Sequence, residues 1–108
     1  MCGILGFIHR RPEQRSLLSV DAMARLAHRG PDGAGHFTND YIQFGHRRLS
    51  IIDLTEGGHQ PMLSHNNRYV VTYNGEIYNY NEIKVELAEK GHEFSSSSDT
   101  EMILHAYQ

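Results

Sequence analysis

The first half of the chain alternates short apolar runs with turns rich in glycine, proline and asparagine. Residues 3–9 form the first run, and its β-branched and aromatic members predict a strand buried on both faces. Residues 34–38 and 41–46 predict two more strands, joined across Asn39-Asp40 as a hairpin. Before this hairpin, residues 29–33 combine glycines, a proline and an aspartate, which predicts a turn.

More β-type residues follow the hairpin. Residues 49–54 have β character, and residues 55–65, which contain Gly-Gly and a proline, predict a long loop. Residues 68–73 include Tyr-Val-Val-Thr-Tyr, and this alternation predicts the clearest strand of the chain. That strand is expected to end in Asn74-Gly75.

Three segments carry helical patterns. Residues 17–28 are rich in Leu, Ala and Met, which favours a helix. Asn79 and Glu82 have the spacing of a capping box, ahead of an apolar stripe and a stop at Gly91. Residues 98–101, Ser-Asp-Thr-Glu, are a second capping signal for a helix that is expected to run to the last residue. Strands and helices together predict an α+β fold.

Composition and charge narrow the class of protein. The chain has 108 residues, 39% of them hydrophobic, which predicts at most one domain with a modest core. Its net charge of -3 and its scattered basic residues form no stripe that could follow phosphates, so we expect no nucleic-acid partner. The mean hydropathy is -0.52, and the sequence contains neither a signal peptide nor an apolar run of about 20 residues. These features predict a cytoplasmic protein without a membrane partner.

Metal and phosphate chemistry find little support in the sequence. The eight histidines are dispersed, without a His-x-x-x-His pair or a second cysteine, so we expect no metal site. No glycine-rich segment has the spacing of a phosphate loop, and we expect no cofactor in this chain.

The single cysteine, Cys2, is a candidate nucleophile. Removal of Met1 would leave Cys2 with a free α-amine, whose ordinary pKa of about 7.7 to 8.0 suits a general base. A thiol attacks as the thiolate and needs such a proton acceptor close by. If the amine were dispensable, His46 would be the first alternative base by position. The competing interpretation is an inert cysteine.

Asn74-Gly75 follows a predicted strand and is most simply a turn. Its functional interpretation is an oxyanion hole, in which the Asn74 carboxamide and the Gly75 backbone N–H donate to one developing negative oxygen.

Three charged residues could bind the backbone of a free amino acid. The planar guanidinium of Arg48 suits a carboxylate, and Glu76 with Asp99 suits an ammonium group. The simpler interpretations are a solvated surface charge for Arg48 and a first-turn helix residue for Asp99.

Six motifs occur together and in a fixed order. They are Met1-Cys2-Gly3-Ile4, Arg-Gly-Pro-Asp at 29–32, His-Arg-Arg-Leu-Ser-Ile-Ile-Asp-Leu at 46–54, Gln-Pro-Met at 60–62, Asn-Gly-Glu-Ile-Tyr-Asn at 74–79 and Ser-Asp-Thr-Glu at 98–101. Together they resemble the class II, or N-terminal nucleophile, glutamine amidotransferases. More closely, they resemble the glutaminase domain of the glutamine-hydrolysing asparagine synthetases, from Cys2 to the last residue.

The resemblance implies roles for the candidate residues. Cys2 would be the nucleophile, with Asn74 and Gly75 forming the oxyanion hole. Arg48 would bind the α-carboxylate of L-glutamine, while Glu76 and Asp99 would bind its α-amine. Glutamine would be hydrolysed to glutamate and ammonia through a thioester on Cys2.

The resemblance also implies a four-layer αββα sandwich, of which residues 1–108 would be only the N-terminal portion. The synthetase domain, absent from this chain, would be the C-terminal partner, bind ATP and Mg²⁺ and use the ammonia for asparagine synthesis. A homodimer is compatible with these patterns. Two alternatives stay open: an amidotransferase with another acceptor, such as a sugar or antibiotic precursor, and a non-catalytic amino-acid-binding module.

Overall fold

The computed structural model describes residues 1–14 and 20–108, which form an α+β structure. Its strands are β1 (Gly3–Ile8), β2 (Gly33–Thr38), β3 (Ile42–Arg48), β4 (Met62–Leu63) and β5 (Val70–Val71). Its helices are α1 (Val20–Arg25), α2 (Tyr80–Glu89) and α3 (Asp99–Tyr107), with short 3₁₀ segments at Pro12–Gln14 and Glu56–Gly58. Of the predicted helix at 17–28, residues 17–19 lie outside the described residues.

The larger sheet has the strand order β1-β3-β2, and both pairs are antiparallel. The predicted hairpin of β2 and β3 is confirmed, with Gly33 opposite Arg48 at one end and Thr38 opposite Gln43 at the other. Asn39 closes its turn, because its side-chain oxygen accepts from the backbone N–H groups of Tyr41 and Ile42 at 2.9 and 2.7 Å. Asparagine therefore supplies the turn without a glycine.

The first predicted strand exists, but the prediction that it is buried on both faces is wrong. Ile4 and Phe7 are 40% exposed, and Ile8 is 82% exposed. Among residues 1–14 and 20–108, β1 pairs only with β3, and the buried residue of β1 is Gly3. Leu26 packs against Gly3, so close that an added Cβ would lie 3.0 Å from the Leu26 Cβ. The remainder of β1 is an edge strand with open faces among the described residues.

Two other β predictions need correction. Residues 49–54, all of them described, form no strand, and the predicted strand at 68–73 contracts to Val70–Val71, paired with Met62–Leu63. Side chains accept the hydrogen bonds that a longer ladder would use. The backbone N–H of Ser50 donates to Asp32 at 2.8 Å, and that of Tyr73 donates to Gln60 at 2.6 Å. Both segments are therefore loops in which side chains accept hydrogen bonds from the backbone N–H groups.

The two C-terminal helices begin near the predicted positions. Ser98 caps α3, because its hydroxyl accepts from the Thr100 N–H at 3.2 Å. Asn79 precedes α2, but its side chain makes no capping hydrogen bond, so the predicted capping box does not form. The predicted stop at Gly91 is confirmed by its φ of 93°, a left-handed conformation that glycine adopts without strain.

The core lies where α2 and α3 meet and where α3 packs on β4 and β5. Its buried apolar side chains are Leu87, Met102 and Leu104, with Met102 only 1% exposed. Several polar residues are also buried, and they tie the loops together. No helix among the described residues is long and apolar enough to cross a membrane.

Candidate active site

A cavity of about 250 Å³ opens where the start of β1, the end of β3, the loops after β3 and β5, and the start of α3 converge. All six residues singled out in the sequence line it: Cys2, Arg48, Asn74, Gly75, Glu76 and Asp99. These residues are separated by up to 97 positions along the chain. It is therefore the fold, and not nearness in sequence, that brings them together.

The backbone of Leu49 holds the thiol of Cys2. The Leu49 N–H donates to Sγ at 3.3 Å, and the thiol donates to the Leu49 carbonyl at 3.6 Å. Arg29, from the predicted turn, donates to the Cys2 carbonyl at 3.1 Å. Cys2 is half-buried, and Met1 also lines the cavity with 70% of its surface exposed.

Arg48 ends β3 and is fixed by main-chain acceptors. Its guanidinium donates to the carbonyl of Thr55 at 2.7 Å and to the carbonyl of Asp53. A guanidinium carries five N–H donors in a rigid fork. The remaining donors can therefore face a ligand carboxylate while the loop holds the group in place.

The acidic residues lie on two other segments. Asp99 is the first residue of α3 and is 6% exposed, and its Oδ2 accepts from the Ile77 N–H at 2.9 Å. This bond joins α3 to the loop that carries Asn74, Gly75 and Glu76. Burial, followed by the negative charges of Asp99 and Glu76, raises the pKa of Tyr73. That side of the cavity is therefore suited to a cation.

The phenol of Tyr73 packs closely against Gly75. A Cβ added at Gly75 would collide with the Tyr73 hydroxyl, so a larger residue would have to displace the ring. Because glycine has no side chain, a ligand in the cavity can approach the backbone of Gly75 closely.

Sequence reasoning missed the residues that connect these segments. Gln60 accepts from the Tyr73 N–H at 2.6 Å and donates to the Thr100 hydroxyl at 3.1 Å, so it bridges the loop after β5 and the start of α3. Asp53 makes a similar connection to Ser97. Both bridging residues lie within the six motifs, which was the signal that could have identified them.

His46, the alternative base, does not line this cavity. It is fully buried on β3, and its Nδ1 lies 2.9 Å from the Thr72 hydroxyl. Burial, then the charges of His59 and Arg48, lowers the pKa of His46 to about 4. Within residues 1–14 and 20–108, no group of three or more His, Cys, Asp or Glu side chains is arranged to hold a metal ion.

The chain is similar to known proteins along its whole length. The whole chain, residues 1–108, matches the family model described as a glutamine amidotransferase domain. The chain belongs to this family. Within it, the domain is similar to a glutamine-hydrolysing asparagine synthetase of Bacillus subtilis (strain 168), with 42% identity over 113 residues. It is 43% identical over 111 residues to the corresponding enzyme of Zea mays. A probable glutamine-hydrolysing asparagine synthetase of Dictyostelium discoideum is 39% identical over 111 residues.

These matches cover 100% of this chain, 18% of the Bacillus and maize proteins and 20% of the Dictyostelium protein. The chain therefore spans about a fifth of the length of the curated relatives it matches. What is similar to them is the amidotransferase domain.

Proposed function

We propose that this amidotransferase domain hydrolyses the side-chain amide of L-glutamine to glutamate and ammonia. The observation that carries the proposal is the convergence of a thiol, an Asn-Gly pair, an arginine and two acids on one cavity. A site that binds a free amino acid and attacks its side-chain carbonyl needs groups for the α-carboxylate, the α-ammonium, the carbonyl carbon and the developing oxyanion. The names of the relatives, glutamine-hydrolysing asparagine synthetases, support the same substrate.

In this proposal, Met1 is removed and the α-amine of Cys2 takes the thiol proton. The thiolate attacks the amide carbon, and the carbonyl π electrons move to oxygen. The Asn74 carboxamide and the Gly75 N–H donate to that oxyanion, where loss of one donor costs about 2.7 to 4 kcal/mol. The oxyanion collapses, the C–N bond breaks, and the α-ammonium of Cys2 protonates the departing amide nitrogen, which leaves as ammonia.

The resulting γ-glutamyl thioester is then hydrolysed. The α-amine takes a proton from water as the water attacks the thioester carbonyl, and the same oxyanion hole stabilises the second tetrahedral species. Collapse breaks the C–S bond and releases glutamate, and the proton held by the α-amine passes to the sulfur and restores the thiol.

The charged residues select the amino acid. Arg48 binds the α-carboxylate, with two of its donors already anchored by Thr55 and Asp53. Glu76 and Asp99, which line the same cavity, bind the α-ammonium. A charge-assisted hydrogen bond of this kind contributes about 1.5 to 3 kcal/mol.

For the complete protein we propose ATP-dependent asparagine synthesis, with aspartate as acceptor and a C-terminal synthetase domain that binds ATP and Mg²⁺. The relatives' names and the fifth of their length that this chain spans support this. No residue of this chain is assigned to ATP or Mg²⁺. Residues 1–108 would then be the N-terminal portion of an αββα N-terminal-nucleophile sandwich in a cytoplasmic enzyme.

The test is ammonia release from glutamine by the full-length protein and its Cys2→Ser variant. We expect near-complete loss in the variant, because a hydroxyl is far less acidic than a thiol. Glutamine binding, measured by calorimetry, should persist and serves as the folding control. Substantial turnover in Cys2→Ser would rule out the thioester mechanism, and a wild-type protein that binds glutamine without releasing ammonia would be a binding module.

A further inference from the structure

Asp53 is a buried carboxylate that accepts four hydrogen bonds and has no role in the proposed hydrolysis of glutamine. It is 4% exposed. Its Oδ1 accepts from the Thr55 N–H at 2.8 Å and the Thr55 hydroxyl at 2.5 Å. Its Oδ2 accepts from the Ser97 N–H at 3.1 Å and the Ser97 hydroxyl at 3.0 Å. One side chain thus joins two segments that are 44 residues apart.

The first of these segments holds Arg48. The turn that Asp53 closes with Thr55 presents the carbonyls of both residues to the Arg48 guanidinium. Gly58 closes the space behind it, since an added Cβ at Gly58 would collide with that guanidinium. The direction in which Arg48 points therefore depends on the shape of the turn at 53–55.

The second segment holds Asp99. Ser97 precedes Ser98, the residue that caps α3, and Asp99 is the first residue of that helix. Asp53 therefore connects the turn that orients Arg48 directly to the helix start that presents Asp99.

We propose that Asp53 is a positioning residue, which fixes the separation between Arg48 and Asp99 so that they match the α-carboxylate and α-ammonium of one amino acid. This inference rests on the glutamine-binding roles proposed above for Arg48 and Asp99. Asp53 itself need not touch the substrate.

The chemistry of the four partners explains why a carboxylate is required. Two of them are backbone N–H groups, which can only donate, and a carboxylate can only accept. An asparagine would direct its NH₂ group at one of these N–H groups and release either the Thr55 or the Ser97 connection. The hydrogen bond from the Thr55 hydroxyl is the largest influence on the pKa of Asp53, which the four bonds lower to about 2 against the opposing effect of burial.

The experiment is a double-variant cycle in the full-length protein, with KM and kcat for glutamine measured by ammonia release. The variants are Asp53→Asn, Arg48→Ala and the combination, and exposed Asp40→Asn, on the turn at the far end of β3, is the matched control. We expect Asp53→Asn to raise KM about tenfold with kcat changed less than about twofold. In the Arg48→Ala background the same substitution should raise KM less than about threefold, because the group that it positions is gone. Asp40→Asn should leave both constants unchanged.

Each outcome is decisive. If Arg48→Ala leaves KM unchanged, the proposed glutamine clamp fails, and with it the premise of this inference. If Arg48→Ala raises KM but Asp53→Asn does not, or if the two effects multiply independently, the positioning role is overturned while the clamp stands. If Asp53→Asn does not fold, Ser97→Ala, which keeps its N–H and loses only its hydroxyl, replaces it. An unchanged KM in Ser97→Ala would then overturn the inference.

Discussion

At the scale of single residues, the groups around Cys2 bear on which base could take its thiol proton. Leu49 holds the thiol through both its N–H and its carbonyl, and Arg29 holds the Cys2 carbonyl. His46, the side-chain alternative, is buried away from the cavity and engaged with Thr72. The base proposed for catalysis is therefore the amine that removal of Met1 would expose.

Retention of Met1 should abolish glutamine hydrolysis. In the unprocessed chain the nitrogen of Cys2 is an amide, whose lone pair is delocalised into the carbonyl and cannot accept the thiol proton. Intact-mass spectrometry would identify fractions with and without one methionine, and each fraction would be assayed for ammonia release. Equal activity in both would remove the α-amine from the mechanism.

Arg48→Ala should raise the KM for glutamine by about 10- to 150-fold, because it removes a charge-assisted hydrogen bond to the α-carboxylate. Arg10→Ala is a suitable control, since Arg10 is exposed and lies outside the cavity. Steady-state kinetics of both variants would measure the KM and kcat for glutamine. A normal KM and kcat/KM in Arg48→Ala would exclude the proposed carboxylate contact.

Asn74→Ala should act on kcat instead. Its carboxamide is proposed to bind a charge that exists only in the transition state, so kcat should fall about 100- to 1000-fold with little change in KM. The matched control is Asn81→Ala, an exposed position on α2 that should retain wild-type constants. A variant that changes KM and leaves kcat intact would assign Asn74 to ground-state binding.

At the scale of secondary-structure elements, the start of α3 organises much of the site. Ser98 caps the helix, Asp99 reaches the loop after β5, and Thr100 receives a hydrogen bond from Gln60. Glu101 accepts from the backbone N–H groups and hydroxyls of Ser95 and Ser96 at 2.6 to 2.9 Å. Burial raises the pKa of Glu101, but these four bonds together outweigh it, so the net shift is downward.

Glu101→Gln should loosen the segment before α3. A carboxamide cannot accept from both serine N–H groups, so amide exchange at 95 and 96 should be about 5- to 30-fold faster than in the wild type at pH 7. Glu89→Gln, exposed at the end of α2, is the control.

The difference between wild type and Glu101→Gln should depend on pH in a defined direction. Because the folded pKa of Glu101 is lowered, its stabilisation is complete above the unfolded value of about 4.3 and is lost as the pH falls through the folded value. Hydrogen exchange of both proteins, compared at the same pH, should therefore converge under acidic conditions. A gap that persists after the pH has fallen below the folded pKa of Glu101 would contradict this role.

At the scale of the whole molecule, local sequence predicted which elements exist better than it predicted their extent. The hairpin at 34–46 and the helix after Ser98 follow from local turn and cap chemistry, and both are present. The strand predicted at 68–73 is only two residues long, and beyond its end the side chain of Gln60 accepts the N–H of Tyr73. Burial of β1 was also predicted wrongly, because an apolar run does not reveal what covers it.

In the candidate site too, some residues were predictable from the sequence and others were not. Cys2, Arg48 and Asp99 were identifiable because their chemistry and motifs are visible in the sequence, and the fold brings them to one cavity. Asp53 and Gln60 lie within the motifs but were not identified, since the contacts that make them important span 44 and 40 residues of the chain. The four-layer sandwich stays a prediction from the resemblance.

The most direct test of the central claim, that Cys2 is the nucleophile for glutamine hydrolysis, is covalent labelling with a glutamine analogue whose side-chain amide is replaced by a diazoketone. We predict one label per chain, mapped to Cys2 by peptide mass spectrometry, with ammonia release lost in proportion to labelling. Excess glutamine should protect Cys2, because analogue and substrate would share the cavity. Labelling of another residue, or full ammonia release from protein whose Cys2 is completely labelled, would contradict the account.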